Sequence, residues 1–331
     1  MSETSPPIPV STAEYYPPLP RPEGRPPTER YWLHGLLLLA TLFTTMVMGA
    51  RMQYNFDTNR PALSLSDEAI PYFPASWMVS HPARFWAGWP FAVTVMLFFL
   101  AHEMGHYLCC RYYGIRATLP FFIPVPTPIG TMGAVILIRS KIRSRAALFD
   151  VGIAGPIAGF IVALGAMFLS FIWSKPAVAP PSPEDLQVGL PWIFHGVHWL
   201  FARIFSLHAT GAPLRMTLLH PVGIAAWVGM YATALNLLPS GQLDGGHIVY
   251  ALSPRMHRLI SWLTVIGLLL LGRKSMNWRV WAALILVMNV MTYRQRQAPE
   301  HPKLPASRWI LAALGLAILI LTFTVSPFQL N

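Results

Sequence analysis

Phe85–Arg111 reads FWAGWPFAVTVMLFFLAHEMGHYLCCR. Its first part, 85–102, is an uncharged run between Arg84 and Glu103, within the roughly 17–25 residues that a membrane-crossing helix needs. An acid then stands inside the apolar stretch. An ionised carboxylate at membrane depth costs about 2.5–3.5 kcal/mol even on a lenient scale, so Glu103 needs a partner, and a cation is the obvious one. The surrounding residues, His102-Glu103-Met104-Gly105-His106, form an HExxH. Four helical residues turn the face by about 400°, which points His102 and His106 the same way, one turn apart. Two imidazoles so placed can bind one zinc ion. Glu103, about 100° round the helix, lies beside the metal, where it can take a proton from water. A helix whose histidines merely hydrogen-bond would leave Glu103 buried without a counter-charge.

The composition carries the same message. Of 331 residues, 54% are hydrophobic and 11% charged, against about 25% charged in soluble chains. A soluble enzyme and a disordered chain are both excluded on that ground. The formal charge of +11 invites a nucleic-acid reading, but the cations are scattered in short loops with no basic, aromatic-lined stripe. No nucleic-acid partner is expected. Cys109 and Cys110 are sequence neighbours, so they imply neither a disulfide nor a CxxC zinc site, and they read as apolar fillers.

Further uncharged runs mark further spans: 31–50, 151–174, 216–243 and 309–331. The runs 259–272 and 280–293 are short, but flanking arginines can snorkel, and Trp262, Trp278 and Trp281 suit an interface. They are read as a tight membrane hairpin. Residues 186–202, interrupted by Pro191 and Gly196, are expected to lie in the interface. Residues 1–30 hold nine prolines and no apolar run, so a disordered tail without a secretory signal is expected. With seven spans, the loops on the N-terminal side carry 15 Lys and Arg against 9 on the other. That places the N-terminus in the cytoplasm.

A catalytic zinc wants a third ligand and an open position. Asp244 ends the run that includes Asn236-Leu237-Leu238-Pro239-Ser240-Gly241-Gln242-Leu243-Asp244-Gly245-Gly246-His247, where the proline and glycines would open the helix and turn the carboxylate toward a metal. Alone, such an Asp would more often face water; the HExxH makes it the candidate ligand.

HEMGH on one apolar helix and NLLPSGQLDGGH at the end of another resemble the site-2 protease family of intramembrane zinc metalloproteases. Leu119–Arg139 (LPFFIPVPTPIGTMGAVILIR) looks like that family's membrane-inserted β-hairpin and edge strand. Phe149–Gly159 (FDVGIAGPIAG), His220-Pro221 and Leu321–Phe328 (LTFTVSPF) fit as well. The likeness spans about 85–328 and is closest to bacterial members and their chloroplast relatives. It implies an all-α polytopic membrane protein of six to seven transmembrane helices, with a small β-hairpin between the second and third spans. It implies one Zn²⁺ held by His102, His106 and Asp244, and Glu103 as general base. The partners implied are the lipid bilayer and a membrane-protein substrate with a transmembrane helix; the setting implied is a bacterial cytoplasmic membrane. No room exists for the PDZ insertion that some members carry between the metal-bearing helices. On this reading the chain divides into a tail (1–30), a first span with an extracytoplasmic loop (31–84), a catalytic membrane core (85–250) and C-terminal helices (251–331).

A metal or proton transporter would spread polar residues over several spans and show an internal repeat; neither is found. An inactive scaffold of the same fold sits poorly with an intact Glu103. His195 and His198 could form a second metal pair, but no carboxylate or cysteine joins them. His247 could support the ligands. Asn236 could orient a peptide carbonyl or bind helix backbone, and Gly130 and Gly133 could admit a substrate backbone or mark an ordinary hairpin.

Overall fold

The computed structural model describes residues 30–64, 70–142, 144–178, 186–205, 213–292 and 304–329. The expected disordered tail lies, but for Arg30, outside the described residues. The chain is mostly helical. Among the described residues, three helical segments are long and apolar enough to cross a membrane: Tyr31–Asp57, Pro82–Tyr112 and Arg145–Trp173. Two shorter apolar helices lie toward the C-terminal end.

The first segment is α1 (Tyr31–Asp57). Short α2 (Ala75–Ser80) and α3 (Pro82–Phe85) lead into α4 (Trp89–Tyr112), which carries the HExxH and has a proline in its first turn. Proline is tolerated there because that N–H has no helical partner anyway. The chain then extends. β1 (Phe121–Pro124) pairs antiparallel with β2 (Thr131–Val135), in the register Phe121↔Val135 and Phe122↔Ala134, and Ala117 bridges Ile138 further out. This is the expected hairpin. Ser144 then caps α5 (Arg145–Trp173), its hydroxyl accepting the N–H of Ala147. Two pairs of two-residue strands tie the loops on the far side: β3 (Lys175–Pro176) with β5 (Thr217–Leu218), and β4 (Gln187–Val188) with β6 (Phe328–Gln329).

α6 (Trp192–Phe205) starts directly after Pro191 and runs through Gly196 without a break. It buries Phe194 and Phe201 and exposes Trp192 and Trp199, the amphipathic pattern of an interfacial helix. The uncharged run 216–243 is not one helix. α7 (Pro221–Asn236) stops well before Asp244, which instead opens α8 (Asp244–Leu252). Pro239 has no N–H to continue the ladder, and Gly241 takes φ +59°, so the chain must turn there.

α9 (Pro254–Leu271) and α10 (Met276–Thr292) form the short-helix hairpin, and α11 (Ser307–Thr322) follows. Arg279 Nε donates to the carbonyl of Gly272 at 2.6 Å, closing the turn rather than reaching outward. Trp278 is also not at an interface: it is 1% exposed, and its indole N–H donates to the carbonyl of Val325 at 2.7 Å. Around these elements large apolar side chains stand exposed, among them Leu39, Ile161, Leu263, Ile266 and Val287. Apolar surface of that extent is rare on soluble monomers and is the normal outer face of a bilayer protein.

Candidate metal centre

α4 and α5 form the most extensive helix pair, and the site lies along their seam. Lipid tails are as apolar as leucine, so helices associate in a bilayer by close packing, which small residues permit. Gly155 and Gly159 on α5 do this here. A Cβ at Gly155 would overlap the His106 ring, and one at Gly159 would lie 2.9 Å from Phe98 and 3.2 Å from His102 Nδ1. Pro156, between them, breaks one rung of the α5 ladder. In the same helix the carbonyl of Val151 takes the N–H of His106 at Nδ1, 2.7 Å away. That bond leaves His106 Nε2 as the ring's lone pair. His102 Nδ1 is buried and has no partner among the described residues.

α8 delivers the third group. Asp244 Oδ2 lies 3.3 Å from His102 Nε2 and 3.3 Å from His106 Nε2, and the two nitrogens are 3.2 Å apart. All three residues are poorly exposed, Asp244 with 16% of its side chain accessible. With a lone pair at His106 Nε2 and a carboxylate oxygen opposite it, the three atoms can sit this close only with a proton or a cation between them. A tetrahedral zinc with bonds of about 2.0–2.1 Å would space its ligand atoms by about 3.3–3.4 Å. The observed triangle has that edge length. Among the described residues no other group of three or more His, Cys, Asp or Glu side chains is close enough to share a metal. Their chemistry, two imidazoles and a carboxylate, suits zinc with a position left open.

Glu103 is 7% exposed and is not one of these three. One oxygen, Oε2, accepts the backbone N–H of Ile136 at 3.0 Å, at the end of β2. The carboxylate thus stands beside the triangle without joining it, as the helix angle requires. Of the remaining candidates, His247 faces α5, where a Cβ on Gly152 would lie 3.3 Å from the His247 Cβ. Asn236 is the last residue of α7. His198 packs edge-on to Phe171, its Nε2 unpartnered among the described residues, and neither it nor His195 joins a metal group. Gly133, at φ +102°, lets the hairpin close on the Phe99 ring of α4, which would stand 3.1 Å from a Cβ at that position.

Sequence reasoning passed over one polar cluster. Arg308, at the start of α11, grips Asp150 of α5 with two bonds, Nε to Oδ1 at 2.9 Å and Nη2 to Oδ2 at 2.8 Å. The hydroxyl of Tyr113 donates to Asp150 and accepts from Arg308. Burial, and then the neighbouring Asp150, push the Tyr113 phenol above its ordinary value, so it remains a donor at physiological pH. The cluster ties α11 to the end of α4 and the start of α5.

Fold and site together define a class: a helical protein with bilayer-length apolar helices and a buried His-His-Asp cluster on an HExxH. Residues 90–271, more than half of the chain, match the profile of Peptidase family M50, and the chain belongs to that family, the site-2 proteases. It is similar to "Probable zinc metalloprotease EGY1, chloroplastic" of Arabidopsis thaliana, 26% identical over 317 residues that cover 90% of this chain and 53% of that protein. It is 31% identical over 245 residues to "Probable zinc metalloprotease EGY2, chloroplastic" of the same plant, covering 72% of this chain and 41% of that one. The EGY2 protein of Oryza sativa subsp. japonica is 30% identical over 224 residues, covering 66% and 38%. The chain spans about half the length of the curated relatives it matches. Family membership implies zinc as the metal of the cluster.

Proposed function

We propose that this chain hydrolyses a peptide bond in or near the transmembrane segment of another membrane protein. His102, His106 and Asp244 hold the zinc, and Glu103 is the general base. One observation carries the reading: the buried Glu103 carboxylate shares an apolar helix with two buried histidines that meet Asp244 in a three-ligand triangle. Zinc bound there supplies Lewis acidity and lowers the pKa of water at its open position to near 7. The chain's own groups do the rest. Val151 fixes the orientation of His106, and Ile136 holds Oε2 of Glu103. Oε1 makes no hydrogen bond to the described residues and takes the proton of the attacking water, which it then gives to the leaving amine. Peptide groups in a substrate helix are already hydrogen-bonded, so the substrate unwinds locally and is held in extended form beside β2 by β-augmentation.

The same reading gives six to seven spans, formed by α1, the 82–112 segment, α5, α7, the α9–α10 hairpin and α11. The Lys and Arg balance puts the N-terminus and the loop after α4 in the cytoplasm, and the metal near that face. Residues 1–30, 31–84, 85–250 and 251–331 are then tail, first span with its loop, catalytic core and C-terminal helices. A cytoplasm-only reporter fused after residue 142 scores positive on this account; a negative score reverses the orientation.

The function itself is tested with full-length protein in detergent and a labelled single-span membrane substrate. A fragment should be released, should vanish with a chelator and should return with zinc. Release that persists through complete removal of metal overturns the assignment.

A further inference from the structure

The one polar contact that Glu103 makes among the described residues is to a backbone group. Ile136 N–H donates to Oε2 at 3.0 Å, and the residue follows directly on β2. The strand's alternation explains the aim. Leu137 is bonded to Thr118 in both directions, its N–H to Oγ1 at 3.0 Å and its carbonyl from the Thr118 N–H at 3.0 Å. Successive residues of an extended strand turn their N–H groups to opposite edges. Ile136 N–H therefore points away from that pairing, toward α4 and its glutamate.

On its other side the hairpin is clamped by α1. Thr44 Oγ1 donates to the carbonyl of Gly130 at 2.6 Å, in the turn between the strands. Gly130 holds φ +76° and sits so close to α1 that a Cβ would lie 2.6 Å from the Thr44 carbonyl oxygen. Further along, His34 Nδ1 lies 3.1 Å from the carbonyl of Pro120, and its ring stacks on Phe121 at 3.9 Å. His34 and Thr44 lie on α1, outside the 90–271 family match.

We propose that Ile136 is a positioning residue for the general base, and that α1 acts on the base through it. α1 holds the hairpin, the N–H of the residue just after β2 holds Oε2, and Oε1 is left aimed at the water. The final torsion of a glutamate is broad and poorly held by packing alone. Misplacing a reacting group by about 1 Å can cost about a hundredfold in rate, so an anchor on one oxygen matters. This inference rests on the protease reading above.

The test removes the donor without changing the shape, by replacing the Ile136 amide with an ester through the α-hydroxy acid of isoleucine. A second variant, Thr44→Val, loosens the clamp from α1. Both are made in full-length protein and in the Glu103→Gln background, with kcat, KM and zinc content measured for each. The ester should lower kcat about ten- to hundredfold, and Thr44→Val about two- to tenfold, with KM and zinc unchanged. In the Glu103→Gln background neither should lower the residual rate further, because no base remains to be positioned. Equal losses in both backgrounds, or a change confined to KM, overturn the inference while leaving a cleaving protease. A wild-type protein that cleaves nothing contradicts the protease reading and takes this inference with it.

Discussion

The α4–α5 seam and the C-terminal α9–α10 hairpin are both apolar helix pairs, yet they tolerate very different things. At the seam, backbone meets ring: Gly155 lies against His106 and Gly159 against His102. In the hairpin, Leu263, Ile266, Leu269 and Val287 point outward, and its inward polar groups bond to other elements rather than to the metal ligands. Ser240, in the turn before Asp244, receives the side-chain N–H of Asn289 at 3.2 Å and donates to the Ser261 carbonyl at 3.3 Å. The hairpin braces the turn that leads into Asp244. Close packing of small residues is what places four ionisable groups within reach of one another; outward leucines only match the solvent, which here is lipid.

The contrast sets an order of effects. Gly155→Ala is the most severe test, because a single methyl must displace the His106 ring. It should empty the site of zinc and reduce cleavage to background, read as metal per purified chain. Full zinc with normal cleavage would show that the seam is not a close fit. Arg308→Gln comes next. It removes both bonds to Asp150 and leaves a partly buried carboxylate with only Tyr113, so stability should fall by about 1–3 kcal/mol while zinc is retained. Thermal unfolding in detergent reads this, and loss of zinc instead would mean that α11 belongs to the site proper. Asn289→Ala should be mildest, about 0.5–1.5 kcal/mol for one hydrogen bond, with at most a few-fold weaker zinc retention in a chelator competition. A loss as large as that of Gly155→Ala would erase the distinction between seam and brace.

What was legible in the sequence follows the same line. The metal motifs could be read because their chemistry needs particular side chains at fixed spacing: His102 and His106 four apart on a helix, and Asp244 in a Pro- and Gly-marked break. The hairpin around Gly130 and the hairpin of α9 and α10 were legible from motif and hydropathy. Groups that act through the backbone were not. Ile136 holds Glu103 by its N–H, and Val151 holds His106 by its carbonyl; any residue but proline could supply the first, and any residue the second. Hydropathy merged α7 with the turn that follows, because Leu237, Leu238 and Leu243 are as apolar as the helix before them. It also could not tell an interfacial tryptophan from Trp278, whose indole is satisfied inside the protein. The bond between Arg308 and Asp150 joins residues 158 positions apart, and no local pattern announces it.

If three ligands and one base divide the work at this site, comparing Glu103→Gln with Asp244→Ala for zinc content and cleavage in the same preparation separates their roles. Glutamine keeps the size of Glu103 and can still accept the Ile136 N–H, but it cannot take a proton from water. Glu103→Gln should retain about one zinc per chain while cleavage falls by about 10²–10⁴-fold or more, and Asp244→Ala should lose zinc and cleavage together. Wild-type cleavage by Glu103→Gln, or full zinc in Asp244→Ala, would contradict that division of roles.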